Sequence, residues 1–135
     1  MLFQLDPEEA HHFTIQNLQL AGKLPFLLNL FTGNKVVHPS LHRKLFGLDF
    51  PNPVGLAAGL DKNGEVFDEM GMLGFGFIEV GTITPRPQPG NDKPRLFRLT
   101  KDEALINRMG FNNIGAEVAA QRLKRRKTNI IVGAN

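Results

Sequence analysis

Three short apolar segments alternate with helical patterns along the chain, and this order predicts an α/β fold. Residues 54–58, 75–82 and 129–135 are rich in apolar side chains and end in small or polar ones. Continuous apolar runs of this length are typical of strands covered on both faces in a parallel sheet. Residues 65–73 and 114–126 have the spacing of helices. The alternation predicts parallel strands joined by right-handed crossovers.

The first helical pattern has a strong start signal. Asp6 can cap a helix, Pro7 suits the first helical position, and Glu9 follows Asp6 by three residues. The helical spacing continues to about residue 20, and Gly22 predicts the end of the helix.

Residues 24–31 predict a second, short helix that begins near Pro25 and is apolar almost all round. Two short helices cannot bury that much apolar surface between themselves. Either the rest of the protein covers it, or it is an exposed patch that contacts a membrane or a partner. We therefore divide the chain into a helical hairpin at residues 1–36 and an α/β part at residues 37–135.

Two hairpins and a long loop are predicted around the parallel strands. Residues 41–54 alternate weakly and contain turn signals, which predicts a hairpin and a lead-in to the first parallel strand. Residues 84–95 contain proline too often for regular structure, and long loops in compact domains are usually functional or disordered. Residues 96–99 and 104–107 predict a second hairpin.

Composition limits the chemistry of the chain. Of its 135 residues, 41% are hydrophobic and 21% are charged, as in a folded domain rather than a disordered one. There is no cysteine, which excludes disulfides, thiolate metal sites and a cysteine nucleophile. His11 and His12 are helix neighbours that point in different directions, so they make a poor metal site and no metal is expected.

The net charge of +3 reflects a basic run at residues 122–127. Such a run can bind nucleic acid. This one has no interleaved aromatic residues and ends a predicted helix, where cations are favourable. A solvated helix face is therefore the favoured interpretation, and nucleic acid is not an expected partner.

The ends of the predicted strands bring candidate site residues together. The carboxyl ends of parallel strands meet at one edge of a sheet, where ligand sites lie in α/β folds. Lys62, Thr82 and Asn135 follow the three predicted strands at this edge. Residues 57–59 carry almost no side chain, so a flat cofactor can lie against the backbone beside the Lys62 cation. The same residues also suit a tight connection whose alanines pack on a helix.

The last predicted strand leaves an open edge at residues 130–133. A stand-alone domain would normally cover such an edge or protect it with charge. The expectation is therefore the first part of a larger barrel.

Three motifs carry a family resemblance. Residues 57–65 (AAGLDKNGE), 79–91 (EVGTITPRPQPGN) and 106–113 (INRMGFNN) follow one another, and residues 5–11 (LDPEEAH) precede them. Together they closely resemble the quinone-dependent (class 2) dihydroorotate dehydrogenases, over essentially all 135 residues. The resemblance implies the N-terminal part of a TIM (β/α)8 barrel with a preceding two-helix extension.

The resemblance also implies an activity and a cofactor. Members of this family use FMN to oxidise dihydroorotate to orotate in pyrimidine (UMP) biosynthesis, and they pass the electrons to ubiquinone or menaquinone. Lys62 is implied as a fixed cation near the flavin pyrimidine ring, where it favours the reduced, anionic flavin. The flavin-binding residues implied by the match are Ala58, Gly59, Leu60, Asp61, Lys62, Thr82 and Asn135.

The third motif matches the family's orotate-binding loop. Amide side chains suit a planar ring with carbonyl and N–H groups, because each amide both donates and accepts. Asn112 and Asn113 either join this loop or act in a turn and as a helix cap. The substrate-binding residues implied by the match are Lys62, Asn107, Arg108, Met109, Gly110 and Phe111.

The N-terminal helices resemble the family's quinone tunnel, whose apolar outer surface rests on the membrane. This favours membrane contact for residues 26–31 and implies a peripheral protein on the cytoplasmic side of the inner membrane. His11 and Arg98 match positions that line the quinone end of the tunnel. The alternative for His11 is an exposed helix residue.

Two other functions compete with the enzyme interpretation. One is a non-catalytic membrane-docking or interaction module built on residues 1–36. The other is a small phosphate or nucleotide binder, which is weaker because no Gly-rich phosphate loop ending in Lys-Ser or Lys-Thr is present.

The serine base of the family matches a position beyond Asn135, so no catalytic base is expected in this chain. Ser40, its one serine, precedes the barrel part. We therefore expect the purified 135-residue chain neither to hold FMN tightly nor to turn over. Its visible absorption spectrum measures this, and a stoichiometric yellow flavin on the purified chain would contradict the prediction.

Overall fold

A computed structural model describes residues 2–24, 26 and 38–135 and confirms the α/β class. The α-helices among these residues are α1 (Pro7–Gly22), α2 (Phe67–Met72) and α3 (Ala116–Lys124). The strands are β1 (Arg43–Leu45), β2 (Leu48–Phe50), β3 (Gly55–Leu56), β4 (Phe77–Val80), β5 (Leu96–Leu99), β6 (Ala104–Asn107) and β7 (Ile131–Ala134). Most of the helix predicted at residues 24–31 lies outside the described residues, so the helical hairpin of residues 1–36 stays a prediction.

Helix α1 begins where the sequence predicts. Asp6 Oδ1 accepts hydrogen bonds from the backbone N–H groups of Glu8 at 2.8 Å and Glu9 at 3.3 Å. These bonds satisfy two of the N–H groups that a helix start leaves without a partner. No helix in the described part of the chain has the length and apolar character needed to cross a bilayer.

The three predicted strands form a parallel sheet in the order β3–β4–β7. Gly55 pairs with Phe77, which also pairs with Ile131. Strand β3 has only two residues, and Val54, which the apolar pattern places in a covered strand, is 60% exposed. The strand prediction was too long here because the chain leaves the sheet toward Gly59, whose φ is +114°.

The core lies between this sheet and helices α1 and α2. Side chains of β4 alternate between the two faces of the sheet. Its inward-facing residues pack against one face of α2 and against Ile15 of α1. The buried core residues are Ile15, Val66, Phe67, Met70, Ile78 and Val80.

Both predicted hairpins are confirmed. Strands β1 and β2 pair antiparallel around a Phe46–Gly47 turn, and β5 pairs antiparallel with β6. Between β4 and β5 runs the proline-rich loop (residues 84–95), which contains no helix or strand beyond a single bridge from Gln88 to Asn113.

Helix α3 begins at Ala116 with no side-chain cap, so the prediction that Asn112 or Asn113 caps it was wrong. Asn113 Oδ1 instead accepts hydrogen bonds from the N–H groups of Gly115 at 2.8 Å and Thr84 at 3.2 Å. The side chain therefore joins the residues before α3 to the proline-rich loop.

Candidate functional site

Backbone hydrogen bonds join the ends of the three parallel strands at the carboxyl edge of the sheet. Gly59 N–H donates to the Gly81 carbonyl oxygen at 2.9 Å, and Gly81 N–H donates to that of Asp61 at 3.0 Å. Ile83 N–H donates to the Asn135 carbonyl oxygen at 2.7 Å. Glycine is required at position 81 because φ is +119° and a Cβ would lie 2.5 Å from that same oxygen. The residues that follow the three parallel strands are thus joined to one another by backbone hydrogen bonds.

A cavity of about 680 Å³ opens beside this edge. Its walls come from α1, from the residues that follow β3 and β4, from the β5–β6 hairpin with the β6 loop (residues 107–111), and from Asn91 of the proline-rich loop. The structure therefore brings together residues that lie in separate sequence motifs. The predicted site residues that line the cavity are His11, Gly59, Leu60, Asp61, Lys62, Thr82, Asn107, Arg108, Met109, Gly110 and Phe111.

Two predicted flavin residues, Ala58 and Asn135, are not among the described residues that line the cavity. Asn135 still contacts a lining residue, because Thr82 Oγ1 donates to Asn135 Oδ1 at 2.6 Å. Asn135 Nδ2 also donates to Glu79 Oε1 at 3.3 Å. Asn135 therefore orients the Thr82 hydroxyl from a position outside the described cavity lining.

Arg98 of β5 also lies outside the described cavity lining. Its Nη1 donates to the carbonyl oxygens of Leu5 at 2.6 Å and Phe3 at 3.3 Å, and the guanidinium lies 5.5 Å from the centre of the Phe3 ring. These contacts fix the residues that lead into α1.

Asp61 has a structural role that its charge alone does not reveal. It is 1% exposed. Its Oδ1 accepts a hydrogen bond from the N–H of Glu65 at 2.7 Å, and its Oδ2 accepts one from the N–H of Val66 at 2.9 Å. The carboxylate thereby fixes the connection that runs from the sheet edge to α2.

Lys62 provides the cation that the sequence predicts at this edge. Its Nζ donates to the Gly59 carbonyl oxygen, which holds the side chain at the cavity. Burial lowers the pKa of Lys62, the Glu8 carboxylate raises it and the Arg95 charge lowers it. The lysine therefore lies within electrostatic reach of both charged residues.

His11 lies on the α1 wall of the same cavity. Burial lowers the pKa of His11 and the Lys62 charge lowers it further, against the opposing effect of the Glu65 and Glu8 carboxylates. The imidazole is therefore neutral at neutral pH, and its ring carries one donor and one acceptor. In the part of the chain that the structure describes, no three His, Asp or Glu side chains are grouped to hold a metal ion.

The sequence analysis missed a buried ion pair on the α1 wall of the cavity. Arg95 donates to the carboxylate of Glu8 through Nη2 at 2.6 Å and through Nε at 3.2 Å. Glu8 is 5% exposed, and Lys93 Nζ approaches it at 3.4 Å from the solvent side. The Arg95 bonds hold the pKa of Glu8 below its usual range, against the opposing effect of burial. Glu8 and Ile15 are seven residues apart and share a helix face, but no sequence signal names Arg95 as the partner.

The proline-rich loop supports the backbone of the β6 loop. Asn91 donates to the Arg108 carbonyl oxygen through Nδ2 at 2.7 Å and to that of Met109 through its backbone N–H at 3.1 Å. Gln88 Nε2 donates to the Gly110 carbonyl oxygen at 3.0 Å. A Cβ on Gly110 would lie 2.7 Å from the Asn91 nitrogen, so the close approach of the two loops requires glycine.

We expect Glu8→Gln to lower the free energy of unfolding by about 3 to 5 kcal/mol at neutral pH, because it leaves the buried Arg95 charge unpaired. The pKa of Glu8 is lowered in the folded state. Its contribution is therefore present above the ordinary glutamate pKa of about 4.3 and is lost as the pH falls through the lowered value. The chain and the variant should converge in acid. Urea unfolding at a series of pH values measures this.

Glu9→Gln is the control for this prediction, because Glu9 is an exposed glutamate on the same helix. It should change the unfolding free energy by less than about 0.5 kcal/mol at every pH. A Glu8→Gln effect that is independent of pH would contradict the assignment of a buried ionised pair.

Comparison with known proteins agrees with this geometry. The family model described as dihydroorotate dehydrogenase matches residues 40–134. A relative from Christiangramia forsetii, named dihydroorotate dehydrogenase (quinone), is 54% identical, and the match covers 99% of this chain and 39% of the relative. A relative of the same name from Neisseria meningitidis serogroup C is 53% identical, with coverage of 100% and 38%. The chain thus spans about two fifths of the length of these relatives.

A solved structure gives the same result for the fold. The crystal structure of DHODH from Eimeria tenella in complex with ferulenol superposes with a TM-score of 0.81 at 44% identity. The match covers 96% of this chain and 35% of that one, which confirms the predicted part of a TIM (β/α)8 barrel. The family model matches well over half of the residues, and the chain therefore belongs to the dihydroorotate dehydrogenase family.

Proposed function

We propose that the chain carries the flavin and substrate side of a quinone-dependent dihydroorotate dehydrogenase, which oxidises dihydroorotate to orotate in pyrimidine biosynthesis. The observation that carries this proposal is the cavity shared by the strand ends, the β6 loop and α1. The alternative of a non-catalytic docking module is not favoured, because the family match falls on residues 40–134, outside the N-terminal hairpin.

FMN is the cofactor that we propose for the sheet edge. Gly59 has a φ of +114°, and no described atom lies within 4 Å of the position that a Cβ would occupy. The backbone there is open to a flat ring, and the Lys62 cation and the Thr82 hydroxyl lie on the same cavity wall. These features fit a flavin. The residues proposed to hold it are Ala58, Gly59, Leu60, Asp61, Lys62, Thr82 and Asn135.

Two of these residues would act indirectly. Asp61 shapes the connection by accepting two backbone hydrogen bonds, and Asn135 orients the Thr82 hydroxyl. When bound, FMN supplies the hydride acceptor for dihydroorotate and the electron donor for quinone. The Lys62 charge, on a half-buried side chain and less screened than in water, would favour negative charge on a bound ring.

Dihydroorotate is proposed to bind to Lys62 and to the β6 loop (residues 107–111). The carbonyl oxygens of Arg108, Met109 and Gly110 are already engaged by the proline-rich loop. The Arg108 N–H is also engaged, because it donates to the Arg95 carbonyl oxygen. Ligand contacts from this loop are therefore proposed to come from its side chains and its remaining N–H groups, with Asn107 offering an amide that both donates and accepts. Ser40 lies N-terminal to β1 and away from the described cavity lining, so it is not proposed as the general base. The family resemblance implies a serine base outside residues 1–135.

The quinone, ubiquinone or menaquinone, is proposed to approach the α1 wall. His11 lines the cavity there as a neutral imidazole, and Arg98 fixes the residues that precede the helix. The outer face of α1 is proposed to rest on the cytoplasmic side of the inner membrane. Phe13 and Leu20 are 42% and 58% exposed and are seven residues apart, so they share one face. Such a face suits a helix that lies in the membrane interface.

The enzyme proposal is tested in a completed barrel, the fusion of this chain to the part of the Neisseria meningitidis relative that lies beyond the match. We expect this fusion to bind FMN and to reduce quinone with dihydroorotate. Lys62→Met should slow reduction of the flavin by dihydroorotate roughly a hundredfold, since it removes a charge that acts at the ring. Anaerobic stopped-flow measurement of the flavin absorbance gives the rate.

Lys124→Met, an exposed lysine of α3, is the matched control and should leave that rate unchanged. A completed barrel that holds FMN but does not oxidise dihydroorotate would contradict the proposed function. Equal reduction rates in Lys62→Met and Lys124→Met would contradict the role of Lys62 alone.

The membrane proposal is tested by flotation of the chain with vesicles of phosphatidylethanolamine and phosphatidylglycerol. We expect Leu20→Asp to reduce the floated fraction several-fold, because it places a charge on the apolar face of α1. Val118→Asp on α3, where the valine is 40% exposed, should float like the unmodified chain. Equal loss in both variants, or no flotation of the unmodified chain, would overturn the proposed contact.

A further inference from the structure

A single buried arginine contacts two walls of the cavity. Arg95 is 7% exposed. Its Nε and Nη2 donate to the Glu8 carboxylate on α1. Its Nη1 donates to the carbonyl oxygens of Pro89 at 2.7 Å and Asn91 at 3.0 Å in the proline-rich loop. One rigid, planar group therefore holds both the helix and the loop.

The same arginine also reaches the β6 loop. Arg108 N–H donates to the Arg95 carbonyl oxygen at 2.8 Å. Asn91, whose carbonyl oxygen binds the guanidinium, holds the carbonyl oxygens of Arg108 and Met109. Displacement of Arg95 would therefore shift the backbone on which the proposed substrate contacts depend.

At the other end of the guanidinium lies the wall that carries His11. Glu8 precedes His11 by three residues, and the two share one face of α1. Both carboxylate oxygens of Glu8 are occupied by Arg95, and His12 Nε2 lies 3.8 Å from Glu8 Oε1. The position of His11 over the cavity thus depends on the contact that holds Glu8 to Arg95.

We propose that Glu8 and Arg95 are positioning residues that fix the His11 wall and the β6 loop relative to each other. The proposed acceptor side and the proposed substrate side of the cavity are then set by one contact. This inference rests on the proposed function and adds two residues to it. Arg95 does not belong to the described cavity lining, and Glu8 lines the cavity with both carboxylate oxygens already bonded to Arg95.

Four variants of the completed barrel separate the proposed quinone side of the cavity from the proposed substrate side. Glu8→Gln should raise the KM for quinone roughly tenfold, because a displacement of the His11 wall by about 1 Å is enough to weaken a positioned contact. The KM for dihydroorotate should stay unchanged. Asn91→Ala should raise the KM for dihydroorotate and leave the KM for quinone unchanged. Arg95→Met should raise both constants, and Arg95→Lys, which keeps the charge without the two-pronged contact, should raise them less. Glu9→Gln and Asn129→Ala, both exposed, are the controls.

Hydrogen exchange measured by mass spectrometry tests the same coupling without turnover. Glu8→Gln should speed exchange several-fold in peptides from α1, Asn91→Ala in peptides from the β6 loop, and Arg95→Met in both. If Arg95→Met does not fold, Arg95→Lys gives the same comparison.

Two results would overturn the inference. One is a proportional change of both KM values in Glu8→Gln and Asn91→Ala, which indicates general destabilisation. The other is faster exchange confined to α1 in the Arg95 variants. A completed barrel that lacks activity even without substitutions contradicts the proposed function instead, and the exchange pattern still decides whether Arg95 couples the two walls.

Discussion

The buried ion pair between Glu8 and Arg95 joins the N-terminal helix to the barrel part, and the shape of the cavity depends on it. Removing two charges from water costs several kcal/mol for each ion, and attraction offsets this only where the remaining donors and acceptors are satisfied. Arg95 largely meets that condition, because its Nη1 group donates to the carbonyl oxygens of Pro89 and Asn91. With four of its five guanidinium N–H groups bonded to groups of defined position, the pair restricts how the helix and the loop can shift relative to each other.

The second constraint is the edge of the parallel sheet. Parallel strands end at the same side, and here the residues beyond β3, β4 and β7 are joined by backbone hydrogen bonds. Gly81 makes this possible, since any side chain there would meet the Asn135 carbonyl oxygen. Because the backbone already defines the edge, the side chains of Lys62 and Thr82 are left to face a ligand.

Much of this arrangement could be predicted from the sequence. The apolar runs and helical spacing indicated three parallel strands, and the carboxyl-edge rule placed Lys62 and Thr82 together independently of the family resemblance. Strand lengths could not be predicted, because apolar residues such as Val54 satisfy the pattern whether or not they pair. Of the roles left open for Asn113, the helix cap was wrong and the turn was confirmed by its bond to Gly115 N–H. Its bond to Thr84 could not be predicted, because the two residues are 29 positions apart and local patterns do not report such contacts. Glu8 and Arg95 were missed for the same reason, since 87 residues separate them.

The proline-rich loop shows how these distant contacts decide function. From its composition it could have been a binding loop or a disordered one. The structure gives it another role, in which Gln88 and Asn91 hold three successive carbonyl oxygens of the β6 loop. Prolines suit this role because they restrict the backbone before folding and so reduce the entropy lost on ordering a long loop. A loop without regular structure can thus serve as a rigid support, provided that a buried group such as Arg95 satisfies the carbonyl oxygens that no strand partner reaches.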